Sequence, residues 1–196
     1  MEPEDRREQI LKHAKAVFAK KGFHDASVTH IIDRAKIARG TFYLYFEGKR
    51  EVFGTLLDQL VKEFEERIRP VDLRPGAVTP LTQVRVNVQR ILDLVISDPD
   101  IVRILLQQAT VLDKQSQAAL GKFYEHVRLM IERALVHGQR LGLIRTCDTR
   151  TVSACLIGSV KEVVEELASR PEARNDLERI ADEIVQFALS GVSVPR

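Results

Sequence analysis

The chain has 196 residues, of which 44% are hydrophobic and 30% are charged, so its composition is that of a globular protein able to bury a core. No apolar run approaches the roughly 20 residues of a membrane-spanning helix, and the charged N-terminus does not resemble a signal peptide. Cys147 and Cys155 have a spacing typical neither of a disulfide framework nor of a metal site. We therefore expect a cytoplasmic protein without a membrane segment, metal or cofactor.

The formal net charge of +2 is unevenly distributed. Residues 1–50 contain 11 Lys and Arg against 7 Asp and Glu, whereas residues 51–196 contain 19 basic and 21 acidic residues. A basic N-terminal segment on an acidic body is compatible with phosphate binding at that end. Random fluctuation can produce the same imbalance, so charge alone does not decide the function.

Apolar residues recur at helical spacing along nearly the whole chain, and no segment alternates long enough to predict a strand. Gly22 is a natural end of the first helix, Ser27 caps the second, Pro99 starts the sixth, and Gly191 stops the last. Residues 70–80 contain three prolines and a glycine, which predicts a loop. About nine helices are predicted, over residues 5–21, 27–35, 38–44, 49–69, 81–97, 99 onward, 115–141, 149–169 and 172–190.

Two short helices separated by a turn, directly after a longer helix, form a helix-turn-helix pattern. The second short helix is expected to enter the DNA major groove and to present its N-terminal side chains to base edges. Arg39 can bind a guanine through two hydrogen bonds, and Gly40 lets the helix backbone lie close to the DNA. Thr41 can contact a phosphate or a thymine methyl group. The apolar residues that would hold the two helices together are Ile31, Ile32, Ala35, Ile37 and Phe42.

Polar residues beyond the second short helix extend this predicted DNA surface. Tyr43 and Tyr45 carry hydroxyl groups where phosphates would pass, and Lys49 lies at a helix N-terminus, which also favours a phosphate. The tyrosines can instead be core aromatics, and Arg39 can be a solvated surface residue. The whole pattern, rather than any one residue, therefore carries the prediction.

The segment GFHDASVTHIIDRAKIARGTFYLYFEGKREVF, residues 22–53, resembles the DNA-binding domain of the TetR/AcrR family of transcriptional regulators. The Gly-Phe, Ser-Val and Arg-Gly-Thr-Phe-Tyr-Leu-Tyr-Phe motifs and the following Gly-Lys carry the resemblance. It implies an all-α protein with a three-helix DNA-binding domain of residues 1–48 and an effector-binding and dimerisation domain of residues 49–196. Position by position, it implies that DNA is contacted by Ser27, Thr29, Arg39, Gly40, Thr41, Tyr43, Tyr45 and Lys49.

Positions 36 and 38 depart from the family pattern. The family commonly has glycine in the turn, where this chain has Lys36, and Ser or Thr as the cap of the recognition helix, where it has Ala38. A left-handed turn is unfavourable for lysine, and a missing cap costs about 1 kcal/mol. Lys36 can gain a phosphate contact in return, so we add it to the predicted DNA-binding residues.

The central helices are apolar but poor in aromatic residues. They can line a cavity for a small, largely apolar effector, although each residue can equally be plain core. The predicted lining residues are Leu60, Phe64, Val88, Ile91, Leu105, Phe123, His126, Val127 and Met130. Polar groups that could orient the effector, besides His126, are Gln107, Gln108 and Tyr124.

The last two predicted helices carry apolar stripes that include small residues. Such faces suit a two-fold homodimer, which the resemblance also implies. The predicted interface residues are Val152, Cys155, Leu156, Ser159, Val163, Ile180, Ile184 and Phe187. A dimer places two recognition helices about 34–36 Å apart and predicts a palindromic operator in double-stranded DNA.

These features together predict a DNA-binding transcriptional regulator, in this family most often a repressor, that a small effector releases from its operator. No nucleophile–base pair, phosphate-binding glycine loop or pair of carboxylates predicts an enzyme. Two alternatives stay open: a helical enzyme or carrier with a coincidental motif, and an architectural DNA-binding protein that has no effector.

Overall fold

The computed structural model describes residues 3–106, 112–169 and 176–192. Over these residues the chain is all-α, which confirms the predicted fold class. Its nine helices are α1 (Pro3–Asp25), α2 (Val28–Ala35), α3 (Arg39–Tyr43), α4 (Lys49–Arg67), α5 (Pro80–Ser97), α6 (Pro99–Leu106), α7 (Lys114–Arg140), α8 (Thr149–Ser169) and α9 (Leu177–Val192). None of the described helices is long and apolar enough to cross a membrane.

Two glycines were predicted to end helices, and they differ in the structure. Gly22 has φ 76° and ψ 158°, which interrupts α1 before a last turn that ends at Asp25. Gly191, in contrast, lies within α9, so the predicted stop at this residue was wrong. An exposed helical glycine costs only about 1 kcal/mol, which packing elsewhere on a helix can offset. The predicted start of the last helix at Glu172 and the polar candidates Gln107 and Gln108 lie outside the described residues.

The chain forms two compact units. The first comprises Met1–Lys62 and Pro99–Phe123, and the second comprises Glu63–Asp98 and Tyr124–Arg196. These units follow from contacts within the fold, whereas the division predicted at residue 48 concerns function. That functional division therefore stays a prediction.

The first unit is organised around α1, which packs against α2 and α6. The rings of Phe18, Phe23 and Phe53 form a cluster with centroid separations of 5.4, 5.9 and 4.9 Å. All three rings are buried. Because each aromatic side chain buries a large apolar surface, the cluster fixes the beginning of α4 on the end of α1.

In the second unit, α5 packs against α9 and α8, and α8 packs against α9. A salt bridge of 2.7 Å between Arg85 Nε and Asp182 Oδ1 also joins α5 to α9. The apolar core between these helices includes Leu92, Val95, Val164, Leu167, Ala181 and Val185. The second unit thus holds α8 and α9 side by side as a pair.

Candidate nucleic-acid interface

Helix α2 begins at a reciprocal capping arrangement. The Ser27 Oγ atom accepts a hydrogen bond from the His30 backbone N–H at 3.2 Å, and the His30 Nδ1 atom accepts one from the Ser27 N–H at 3.3 Å. Histidine here takes the place of the usual Glu or Gln of a capping box. The predicted cap at Ser27 is confirmed, and its hydroxyl hydrogen can still be donated to a phosphate. Thr29, in the first turn, is exposed.

The turn after α2 has the unfavourable geometry that the sequence indicated. Lys36 has φ 53° and ψ 48°, the left-handed conformation, and its backbone N–H bonds the carbonyl of Ile32. Among the described residues it is the only non-glycine with positive φ. The Gln9 side-chain amide donates to the Ala35 carbonyl at 3.1 Å and supports the same helix end. Surrounding contacts therefore hold a conformation that costs lysine about 1–2 kcal/mol.

Replacing Lys36 with Gly is expected to raise the free energy of unfolding by about 1 kcal/mol, because glycine adopts this turn without strain. If Lys36 contacts a phosphate, the same change weakens binding to all DNA sequences and reduces the slope of log affinity against log salt by about 1. Urea unfolding and anisotropy titrations with labelled DNA measure the two effects. Lys36→Arg, which keeps the charge, is the control, and an unchanged slope in the glycine variant contradicts the contact.

Helix α3 has only five residues, and one side chain anchors it. Phe42 is fully buried, and its ring lies 6.0 Å from that of Phe46. The Arg7 guanidinium lies 5.2 Å from the centroid of the Phe46 ring. Ala38 occupies the cap position in an extended conformation without a side-chain hydrogen bond, as predicted. The position of α3 therefore depends on tertiary packing rather than on its own capping.

The outer face of α3 is polar and accessible. Arg39 and Gly40 are exposed, Tyr43 is 47% exposed, and the Arg39 guanidinium lies 5.8 Å from the centroid of the Tyr43 ring. Within the described residues, the Arg39 side chain makes no hydrogen bond or ion pair, so its guanidinium donors are available to a partner. Thr41 and Tyr45 are half-buried beside this face.

Gly40 has no structural explanation within the chain. A Cβ atom at this position would meet no other atom within 4 Å, and the φ angle is not positive. Glycine in a helix costs about 1 kcal/mol relative to alanine. A close approach by another molecule is the remaining physical reason for a glycine at this exposed position.

Leu44, 82% exposed, is a candidate contact residue that the sequence analysis missed. It follows Tyr43 on the exposed side, while Phe42 and Phe46 are buried. The available signal was the spacing of Phe42 and Phe46, which leaves Tyr43 and Leu44 exposed between them. An apolar side chain here suits a thymine methyl group or a sugar.

Lys49 lies at the N-terminus of α4, as predicted, but its ammonium group is bonded within the chain. Its ammonium group donates to the carbonyl oxygens of Phe23, His24 and Ala26 at 2.8, 3.0 and 2.7 Å. It also lies 4.6 Å from the centroid of the Phe23 ring. Burial lowers the pKa of Lys49, an effect that the Asp113 carboxylate partly offsets. An ammonium group has three hydrogens, which these three carbonyls can accept, so we propose a structural role for Lys49 at the end of α1, while its phosphate contact stays a prediction.

Of the residues predicted to line an effector cavity, some are buried and the others are half-buried. Leu60, Phe64, Leu105 and Phe123 are buried, as core residues are. The others, which are half-buried and all belong to the second unit, are Val88, Ile91, His126, Val127 and Met130. The His126 Nε2 atom already lies 2.8 Å from Glu65 Oε1. An open groove of about 390 Å³ lies instead along α7 and the start of α8, and none of these nine residues lines it.

The residues predicted to form a dimer interface are accessible. Phe187 is 71% exposed and Cys155 is also exposed. The half-buried members are Val152, Leu156, Ser159, Val163, Ile180 and Ile184. In the part of the chain that the structure describes, no cluster of His, Cys, Asp and Glu could hold a metal ion. The effector and dimer assignments stay predictions.

Helices α2 and α3, joined by a short turn, form a helix-turn-helix arrangement in which α3 packs through one buried phenylalanine and presents a polar face. Residues 10–56 match the family model of bacterial regulatory proteins of the tetR family. The match covers 47 of the 196 residues, and over this segment the chain resembles the tetR family of regulators.

Known relatives resemble the chain over nearly its whole length. It is 26% identical over 193 residues to the HTH-type transcriptional regulator YdgC of Bacillus subtilis, covering 95% of this chain and 92% of that protein. It is 24% identical over 188 residues to the fatty acid metabolism regulator protein of the same organism, covering 94% of each. The structure of FadR from Bacillus subtilis in complex with stearoyl-CoA superposes with a TM-score of 0.77 at 21% identity, covering 94% of this chain and 98% of that one.

Proposed function

We propose that this protein is a dimeric repressor that binds a palindromic operator through α3 and is released by a small, largely apolar effector. One observation carries the DNA-binding part of the proposal. Helix α3 is held by a single buried residue, Phe42, while Arg39, Gly40 and Tyr43 face outward. On one accessible surface these three residues present a guanidinium group, a backbone segment without a side chain and a phenol hydroxyl.

Each of these residues has a distinct chemical role in the proposed complex. Arg39 binds the O6 and N7 atoms of a guanine in the major groove. Thr41 and Tyr43 bind phosphates and fix the position of the helix, as Thr29, Ser27, Lys36 and Tyr45 do at the edges of the surface. Gly40 admits the DNA backbone. Lys49 acts indirectly, because it holds the end of α1 beside the start of α2.

A two-fold dimer through α8 and α9 explains why these helices leave apolar residues accessible. Phe187 on α9 and Cys155 on α8 are exposed, and half-buried aliphatic residues flank them. Burial of such a face against its own copy is favourable, and the two-fold symmetry makes the operator a palindrome.

The proposed effector site lies in the second unit. Val88, Ile91, Val127 and Met130 are apolar but only half-buried, so they can still contact an apolar ligand. Two similar proteins, the fatty acid metabolism regulator and the FadR bound to stearoyl-CoA, make a long acyl chain the first candidate to test. Effector binding would favour a conformation in which the two recognition helices no longer match the operator spacing.

The DNA-binding proposal is tested by selecting bound sequences from a random duplex pool. We expect the wild-type protein to select a palindrome, and Arg39→Ala to lose preference at defined positions, at about 1–3 kcal/mol per lost base contact. Arg67→Ala, an exposed arginine outside the proposed surface, is the matched control. If Arg39→Ala keeps the wild-type binding profile, Arg39 does not read a base.

The effector proposal is tested on the selected operator by fluorescence anisotropy. Stearoyl-CoA is expected to release the protein, whereas coenzyme A without the acyl chain is not. Substitution of Val88 by Asp, which places a charge in the proposed site, is expected to reduce release. A screen in which only highly charged molecules without apolar groups release the operator would refute an apolar effector.

A further inference from the structure

The groove along α7 has an apolar floor and a basic rim. Leu129 and Val136 contribute the apolar surface, and Arg133, His137 and Arg140 follow one another along the same face of the helix, with Thr149 at the start of α8 closing the groove. All three basic residues are exposed. The groove volume is about 390 Å³, and it is open to solvent.

Among the described residues, the basic side chains of the groove have no counter-charge of their own. The side chains of Arg133, His137 and Arg140 make no hydrogen bond or ion pair within these residues. The acidic residue of the groove, Glu132, is already engaged by the buried guanidinium of Arg128. Arg133 and Arg140 carry like charges two turns apart on the helix, so an acidic partner would stabilise this surface.

The second half of α8 has the opposite charge. Glu162 and Glu165 are exposed there, and Lys161 is the only cation in this half of the helix. Glu162 also continues the predicted dimer stripe, because Cys155, Ser159 and Glu162 follow at helical spacing. The accessible face of α8 therefore changes from small and apolar to acidic along its length.

We propose that the groove receives the acidic end of α8 from a second copy of this chain. This inference rests on the proposed dimer and goes beyond its α8–α9 stripes, since it adds α7 to the interface and fixes the relative direction of the helices. Helix α8 has 21 residues, or about 31 Å. When two copies of α8 cross antiparallel near Ser159, Glu165 of one copy lies opposite position 153 of the other, about one turn from Thr149 and the groove.

Charge complementarity in this arrangement selects a single dimer. The antiparallel pairing makes the basic groove of each copy meet an acidic α8 end, twice by symmetry. A parallel pairing, or one shifted by several turns, brings acidic ends together or leaves the groove cations unpaired, which disfavours it. The apolar stripes thus stabilise the dimer, and the charged ends fix the antiparallel orientation of the two α8 helices.

Two charge-reversed variants of the full chain test the pairing. One carries Arg133→Glu with Arg140→Glu, and the other carries Glu162→Arg with Glu165→Arg. Each is expected to weaken its own homodimer at least tenfold in sedimentation equilibrium at low salt, because like charges then meet. An equimolar mixture is expected to restore a wild-type dissociation constant, because both contacts of the heterodimer again join opposite charges. Native mass spectrometry distinguishes the heterodimer from either homodimer.

Control variants distinguish the groove pairing from the proposed α8–α9 dimer face. Arg67→Glu with Arg69→Glu makes the same charge change on exposed residues outside the groove and is expected to leave dimerisation unchanged, and circular dichroism checks the fold of every variant. Phe187→Glu is expected to dissociate the dimer. If the reversed variants dimerise normally, or their mixture does not recover, while Phe187→Glu is monomeric, the groove pairing is refuted and the dimer face stands. If Phe187→Glu also dimerises normally, the proposed dimer face is itself wrong.

Discussion

Replacing Gly40 with Ala is expected to stabilise the free protein and, at the same time, to weaken operator binding at least tenfold. Alanine is more favourable than glycine in a helix by about 0.5–1 kcal/mol, and the added methyl group meets no atom of the chain within 4 Å. The same methyl group lies on the exposed face of α3, where it keeps the helix backbone away from the DNA. A tenfold loss corresponds to about 1.4 kcal/mol.

Opposite changes in stability and affinity make this substitution informative. Thermal or urea unfolding measures the first, and anisotropy titration with the selected operator measures the second. Gly121→Ala is the matched control, since Gly121 is also exposed, helical and free of neighbours within 4 Å. It should increase stability without changing affinity. Wild-type affinity in the Gly40→Ala variant would mean that close approach of DNA is not the reason for this glycine.

Replacing Lys49 with Met is expected to lower the free energy of unfolding by about 2 kcal/mol, because three carbonyl oxygens lose a charged donor. Methionine keeps an apolar stem against the Phe23 ring, so the loss reports mainly on the hydrogen bonds. Operator affinity should also fall, since the end of α1 and the start of α2 lose their connection to α4.

The salt dependence of binding distinguishes this role from a phosphate contact. The slope of log affinity against log salt should not change in Lys49→Met, whereas loss of a phosphate contact would reduce it by about 1. Arg50→Met is the neighbouring control, because its 2.9 Å ion pair with Asp113 is exposed and contributes less than about 1 kcal/mol. A reduced slope with unchanged stability would support the phosphate contact for Lys49.

Local signals in the sequence were sufficient to predict most of the first unit. Ser27 defined the start of α2, and Phe42 was correctly predicted as one of the apolar residues that hold α2 and α3 together. The hydrogen bonds of Lys49 were not predicted, because its acceptors are backbone carbonyls between 23 and 26 positions earlier, which every sequence possesses. A side chain that donates hydrogen bonds to backbone carbonyls requires no particular residue type at the acceptor positions, so the sequence contains no pattern that reveals it.

The second unit was less predictable for a related reason. Helical periodicity identifies an apolar face but not the helix, ligand or second copy that covers it. The sequence therefore predicted both Leu105 and Val88 as effector-site residues, although Leu105 is buried and Val88 is half-buried. The loop at 70–80 was predicted from its prolines, but the hydrogen bonds from Gln83 to the carbonyls of Asp72 and Val78 were not.

The missing cap of α3 has a consequence for the motion of the free protein. A five-residue helix without a side-chain cap cannot persist alone, so its hydrogen bonds form only while Phe42 occupies the core. Such segments open locally at a much lower free energy than the whole fold. The amide protons of α3 should therefore exchange with solvent well before those of α1, and DNA binding should slow that exchange. In the proposed complex, part of the binding free energy would therefore offset the cost of ordering α3.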